Sequence, residues 1–97
     1  MPIFQITALA DNKTAIQQAV ESKFPAEDRY KLQSNAGWLV RHHGTTVEVS
    51  NHLGVTGQPQ GEPSPIGSTM VTLVTSYYGR GPTDMWEWLK TRFERES

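Results

Sequence analysis

The chain has 97 residues, of which 36% are hydrophobic and 20% are charged, a composition that suits one small globular domain. Nine basic and ten acidic residues give a net charge of −1, which argues against nucleic acid and anionic membranes as partners, and no apolar run approaches the roughly 18 residues of a membrane span. The absence of cysteine excludes disulfides, thiolate zinc sites and cysteine catalysis, and it favours a cytoplasmic location.

The chain begins with a predicted strand and a predicted helix. Residues 2–9 alternate in the manner of a strand, with successive side chains on opposite faces. Asp11 or Asn12 is expected to cap the helix that follows, because a short polar side chain accepts a hydrogen bond from the free amides of the first turn. Apolar residues recur at helical spacing as far as Phe24, and Pro25 ends the helix.

A hairpin is predicted next. Residues 29–33 and 38–43 have the composition of two short strands. Residues 34–37 between them, Ser-Asn-Ala-Gly, are typical of a turn. We therefore expect the two strands to pair with each other.

Residues 45–53 fit two structures. Thr45 and Glu48 match a capping box, in which each side chain bonds to the backbone amide of the other, and this pattern favours a short helix that Gly54 ends. The same segment is rich in Thr and Val, which favour a strand. Helix is the preferred prediction and strand is the alternative.

Residues 54–67 are predicted to form a mobile loop. The segment holds four glycines and three prolines and lacks apolar anchors, so it cannot bury enough surface to become ordered. A long loop inside a small domain is often functional, and it can also be a tolerated insertion.

The last two predicted elements are a strand at residues 69–78 and a helix at residues 83–95. The strand is rich in Val, Thr and Tyr and is apolar on both faces, which is typical of a central strand. The helix has an apolar stripe at helical spacing, formed by Met85, Trp86, Leu89 and Phe93. Trp88 lies at the edge of this stripe, so we expect it to remain exposed.

The order of the elements, β-α-β-β-α-β-α, predicts an α+β fold, with residues 1–97 in a single domain. We expect one mixed sheet of about four strands, with two main helices and a short third helix packed largely on one of its faces. The sequence shows no repeat and no second domain, so residues 54–67 are the one candidate linker.

The turn before the last helix, at residues 79–83, is a candidate anion site. Free amides at a helix N-terminus favour anions, and the guanidinium of Arg80 would add donors for phosphate or carboxylate. Asp84 in the same turn would repel an anion, and Pro82 is a common first residue of a helix, so a purely structural turn is the preferred interpretation. If a small anion binds here, we expect its ligands to be Tyr78, Arg80, Gly81 and Thr83.

The three histidines, His42, His43 and His52, do not predict a metal site. Adjacent residues on a strand point to opposite faces, so His42 and His43 do not easily share one ion. A closed site needs about four ligands, and no acidic residue stands at ligand spacing. We therefore expect no metal and no cofactor.

The first six residues, MPIFQI, resemble the start of the 4-oxalocrotonate tautomerase and macrophage migration inhibitory factor superfamily. The resemblance implies that Pro2, once methionine is removed, is a general base whose secondary amine takes a proton from a carbon acid. The resemblance extends to the order of the strand and helix that follow. The first helix is shorter than in that family, the second half of the chain differs from the family's, and no arginine clearly matches the family's partner residue. While Met1 is attached, the Pro2 nitrogen is an amide and is not basic.

Aromatic residues suggest another class of function. Tyr and Trp are enriched at protein interfaces, and Trp88 and Tyr77 are the candidates for one here. Balanced charge, few candidate site residues and these aromatics favour a small binding or regulatory protein that contacts a partner protein or a second copy. The alternative is a small enzyme or ligand-binding protein for an acidic metabolite, using residues 79–83 or Pro2. A concave pocket lined by Arg80, Tyr78 and a histidine would favour the alternative, whereas a flat apolar patch around Trp88 or an unpaired sheet edge would favour protein binding.

Overall fold

The structure, a computed structural model, describes residues 1–32 and 37–94. Its strands are β1 (Ile3–Ala8), β2 (Arg29–Lys31), β3 (Trp38–Arg41) and β4 (Thr69–Val74). Its helices are α1 (Lys13–Lys23), α2 (Thr46–Leu53) and α3 (Thr83–Glu94), and a short 3-10 helix, Ala26–Asp28, precedes β2. The predicted order of elements is confirmed. Most of the turn predicted at residues 34–37, and Arg95 at the end of the last predicted helix, lie outside the described residues.

The α+β class is confirmed, but the sheet is antiparallel throughout and not mixed as predicted. The strand order is β2-β3-β1-β4, and β1 is antiparallel to both of its neighbours. α1 joins β1 to β2 and α2 joins β3 to β4, and in each case another strand lies between the two that are joined. The joined strands are parallel but not adjacent, which leaves every adjacent pair antiparallel. This is the split β-α-β arrangement of ferredoxin-like domains, with α3 added after β4.

The inner strands of the sheet are β3 and β1, and the prediction that the strand at residues 69–78 is central is wrong. Ile3, Phe4 and Ile6 are all buried, so β1 is covered on both faces. β4 is the last strand of the sheet and pairs with β1 alone among the described strands. It is also shorter than predicted, because the chain bends at Thr75 and leaves the sheet.

Helices cover both faces of the sheet, although the sequence predicted that they pack largely on one. α1 and α2 lie on the face of Phe4 and form the larger core there. α3 lies on the opposite face, where Trp88 and Leu89 pack with Ile3 and Leu39. The division follows from the alternation along β1, since Ile3 and Phe4 point to opposite faces. None of the helices in the described ranges has the length and apolar character needed to cross a membrane.

Residues 45–53 contain a helix, as preferred. The Thr45 hydroxyl accepts a hydrogen bond from the Glu48 amide at 3.2 Å, and the Glu48 carboxylate accepts one from the Thr45 amide at 3.1 Å. This capping box satisfies two amides that the helix itself leaves free. Gly54 ends the helix at a φ of 98°, in the left-handed region that glycine adopts without strain.

The segment at residues 54–67 is anchored at both ends, so the prediction that it lacks apolar anchors is wrong. Val55 is buried in the larger core, and Ile66 packs against that core. Asn12, at the start of α1, makes no side-chain cap bond there. Its Nδ2 donates instead to the carbonyl oxygens of Ile66 at 2.8 Å and Ser68 at 3.0 Å, which ties the loop to α1. The mobility of the loop stays a prediction.

Candidate functional site

Among the described residues, the backbone groups along the outer side of β4 have no partner strand. The amide of Leu9 donates to the carbonyl of Ser68 at 3.0 Å, which sets the hydrogen-bonding phase of the β1–β4 ladder. Because an antiparallel ladder alternates, the even-numbered residues of β4 bond to β1. The N–H and C=O groups of Val71 and Leu73 therefore point away from β1, to the side where the described residues contain no further strand.

Apolar side chains accompany this open edge. Leu73 is 50% exposed and Met70 is 46% exposed, although both lie within β4. Val47 of α2 is 63% exposed and shares a shallow depression with Val71. The other residues that line the depression are polar and uncharged: Thr46, Ser50, Asn51 and Thr56. We call Val47, Met70, Val71 and Leu73 together the β4 edge surface.

Three of the four residues of the β4 edge surface, Met70, Val71 and Leu73, lie in an uncharged part of the chain. From residue 63 to residue 79 the sequence contains no Asp, Glu, Lys, Arg or His. Natural proteins protect edge strands with charged side chains, proline, bulges or short length, because an unpaired edge is a template for a further strand. Thr69–Val74 has no charge and no proline, and its register with β1 is unbroken. Its outer edge is therefore chemically open to strand addition.

A cleft of about 310 Å³ lies beside Leu73 and includes the residue that the tautomerase resemblance singles out. Pro2 lines this cleft together with Phe93 of α3. The Pro2 carbonyl accepts a hydrogen bond from the His42 amide at 3.1 Å, which fixes the start of β1 against the end of β3. No arginine is among the described residues that line the cleft. Its walls suit an apolar side chain better than an acidic substrate.

The turn at residues 79–83 leads into a helix whose first turn already carries a carboxylate. Asp84 accepts a hydrogen bond from the Tyr30 hydroxyl at 2.8 Å, and partial burial together with this carboxylate raises the pKa of Tyr30. Trp86 donates from its indole nitrogen to the carbonyl of Gly81 at 3.1 Å. The residues predicted to bind an anion are all exposed: Tyr78, Arg80, Gly81 and Thr83. An anion site stays a prediction, and these bonds support the structural interpretation of the turn.

Trp88 is buried, so the expectation that it remains exposed is wrong. It is 8% exposed and packs with Leu89 beneath α3. The guanidinium of Arg92 lies 4.7 Å from the centre of the Trp88 ring. Tyr77 is partly exposed and stacks on Trp86, with ring centres 5.8 Å apart. Of the two residues predicted for an interface, Tyr77 is accessible and Trp88 is part of the core.

Two of the histidines meet, although they are distant in sequence. The rings of His42 and His52 stack with their centres 4.7 Å apart, and each contacts Phe24 at 5.4 Å between centres. Burial, and then the neighbouring His52 and His43, lower the pKa of His42. In the part of the chain that the structure describes, no group of three or more His, Cys, Asp or Glu side chains is placed to hold a metal ion. The pair closes the larger core beside Phe24.

Comparison of the chain with models of protein families, with curated proteins and with solved structures gave no match. The candidate site therefore depends on the geometry of this chain alone. Sequence reasoning did not single out Val71 and Leu73, because it placed their strand at the centre of the sheet. A topological signal could have found them: in the split β-α-β arrangement the fourth strand lies at an edge, and among the described residues the element that follows it is a helix.

Proposed function

We propose that this chain is a protein-binding domain that pairs the outer edge of β4 with a strand of a partner protein. The observation that carries the proposal is the mismatch between the composition of β4, which is that of a central strand, and its position at the edge of the sheet. An extended segment added there would bond to the outward N–H and C=O groups of Val71 and Leu73. Main-chain hydrogen bonds of this kind supply affinity, and alternate side chains supply specificity.

The side chains of the surface support a protein partner over an acidic metabolite. Met70, Leu73 and Val47 present apolar surface that a partner strand and the element behind it would cover. An acidic metabolite would require cationic or amide donors, and the segment from residue 63 to residue 79 supplies no cation. The exposed Arg80 lies beyond that segment, in the turn that precedes Asp84 in the sequence.

Affinity capture with three matched baits tests the proposal. The baits are the wild-type chain, Leu73→Lys, which places a charge on the open edge, and Leu9→Lys, which adds the same charge directly after the inner strand β1. Leu9 is 60% exposed, so the control replaces a side chain of similar exposure. We expect proteins that bind to the wild type and to Leu9→Lys and are lost from Leu73→Lys, because a lysine on an edge strand opposes strand addition.

A second readout places the contact on the backbone. In a purified complex, the amide protons of Val71 and Leu73 should exchange more slowly than in the free chain, because strand addition bonds them. As a control, thermal melting should give the same melting temperature for all three baits before capture is compared. Equal capture by all three baits, or unchanged exchange at both amides in the complex, would contradict the proposal.

A further inference from the structure

We infer that the strand added to β4 is the β4 strand of a second copy of this chain, which joins the two four-stranded sheets into one continuous sheet. The inference rests on the proposed function, since it uses the same edge, and it names the occupant of that edge. Three features of the described residues support it: the symmetry of the strand sequence, the absence of charge and the position of Val47.

Symmetry restricts how two copies of β4 can pair. Two identical strands that pair in antiparallel fashion are related by a two-fold axis perpendicular to the sheet. This axis keeps α1 and α2 of both copies on one face and α3 of both copies on the other. Because opposed residues in an antiparallel pair lie on the same face, even-numbered residues must oppose even-numbered ones and odd-numbered residues must oppose odd-numbered ones.

The sequence of β4 is self-complementary about Thr72. With the axis at Thr72, Val71 opposes Leu73 and Met70 opposes Val74, so that every apolar residue of the strand meets another apolar residue. The outward backbone groups of Val71 and Leu73 fall opposite each other in this register, which is the arrangement that an antiparallel ladder requires.

The adjacent registers match less well. With the axis at Val71, Met70 opposes Thr72 and Leu73 opposes Thr69, so polar and apolar side chains alternate across the pair. With the axis at Leu73, Thr72 opposes Val74 and the same mismatch occurs. Cross-strand pairs of like character stabilise a sheet and a shift in register removes them, so the strand sequence favours the axis at Thr72.

Charge and the position of α2 agree with a second copy. Two copies carry identical charges, so a charged edge would repel itself, whereas residues 63–79 carry none. Val47 and Val71 line one depression on the side of α2. The two-fold axis brings the second α2 to the same side of the sheet, where the two exposed Val47 side chains can be covered together.

Single-cysteine crosslinking tests the register, since the chain contains no cysteine of its own. Thr72 bonds to β1, so across the axis it forms a non-hydrogen-bonded pair with Cα atoms about 4.5 Å apart, a separation that a disulfide accepts. We expect Thr72→Cys to form a covalent dimer under mild oxidation and Met70→Cys, on the same strand and face, to remain unlinked. Combining Met70→Cys with Val74→Cys should restore the link. Equal linking at positions 70 and 72 would overturn the register.

Sedimentation over a concentration series tests the association itself. We expect the wild type and Leu9→Lys to form a dimer and Leu73→Lys to raise the dimer dissociation constant by at least about tenfold. A wild type that stays monomeric at the highest concentration would overturn the inference. If it is monomeric while edge-dependent capture persists, the second copy is wrong and the proposed function stands. If edge-dependent capture is lost as well, both are wrong.

Discussion

The two edges of the sheet are built in opposite ways. β2, at one edge, is three residues long, and two of them, Arg29 and Lys31, are charged. β4, at the other edge, is six residues long and uncharged. Short length and charge are the usual means of preventing strand addition. The same small domain therefore protects one edge of its sheet and leaves the other open, which is why we assign the open edge a function.

The side chains of β2 are also held by neighbouring elements. Arg29 donates to the carbonyl of Phe24 at 2.6 Å, and Lys31 donates to the side-chain oxygen of Gln17 at 3.2 Å. Tyr30 donates to Asp84 of α3, so both faces of β2 are fastened to a helix. The exposed side chains of β4, Met70 and Leu73, have no comparable attachment among the described contacts. The difference concerns packing as well as charge.

The largest expected effect is that of weakening the packing of α3, the helix to which the protected edge strand β2 is bonded through Tyr30. Leu89 of α3 is buried against the sheet beside Trp88. Leu89→Ala should lower the free energy of unfolding by about 2–5 kcal/mol, because it leaves a cavity in a small core. Urea unfolding measures the loss. Thr91→Ala, at an exposed position on the same helix, should change stability by less than about 0.5 kcal/mol. Equal stability of the two variants would mean that α3 does not pack as described.

A pair of proline substitutions on β4 should separate its inner side from its outer side. Thr72→Pro removes an amide that bonds to β1 and leaves the Gln5 carbonyl opposite it unpaired, so we expect a loss of about 1–3 kcal/mol. Leu73→Pro removes an outward amide, a position where edge strands tolerate proline, and should cost less than Thr72→Pro. Urea unfolding of dilute samples compares them. A larger loss for Leu73→Pro would reverse the assigned phase of the ladder.

Exchanging the chemistry of the two edges should change association more than stability. Leu73→Lys should abolish pairing of β4 and change the free energy of unfolding of the monomer by less than about 0.5 kcal/mol, as surface substitutions usually do. Adding Lys31→Val to that variant removes one of the two charges of β2, and we expect association to reappear weakly. Sedimentation of the single and double variants measures this. A double variant that remains monomeric would show that the short length of β2 suffices to protect it.

The smallest expected effect is that of acidification. It should lower the free energy of unfolding and leave the pairing of the open edge unchanged. Burial and the nearby histidines lower the pKa of His42 in the folded chain, whereas Asp28 and Glu48 act more weakly in the other direction. The unfolded chain therefore binds a proton first, so stability is full above about pH 6.5 and falls below it, down to the lower pKa of the folded chain. His42→Gln should reduce this loss in thermal melts from pH 8 to 5, and His43→Gln, which removes only the smallest of the causes that lower the pKa of His42, should reduce it less.

Local signals in the sequence predicted the order of the helices and strands correctly. The predictions that failed were those of where an element or a side chain lies in the folded domain. The capping pattern of Thr45 and Glu48 lies within one turn of chain and predicted α2 correctly. The apolar faces of β4 depend on what surrounds the strand, and the same residues suit the centre of a sheet or an edge that a partner covers. Trp88 was misplaced for a related reason: the apolar stripe of α3 is wider than its four predicted residues, because the helix lies across both β1 and β3.

The candidate site could be predicted only in part from the sequence. The possibility of a second copy followed from composition, whereas the outward direction of Val71 and Leu73 requires the hydrogen bond between Leu9 and Ser68 that sets the ladder. Long-range pairing of this kind leaves no local pattern in the chain. The uncharged run from residue 63 to residue 79 was visible in the sequence, but its meaning depends on its position at the edge.

Amide exchange along β4 at two protein concentrations tests the central claim most directly. In dilute solution we expect protected amides at Met70, Thr72 and Val74, which bond to β1, and fast exchange at Val71 and Leu73. At high concentration, or with a captured partner, the two outward amides should become protected while the other three stay unchanged. Protection at Val71 and Leu73 equal to that at Thr72 in dilute, monomeric samples would contradict an open edge.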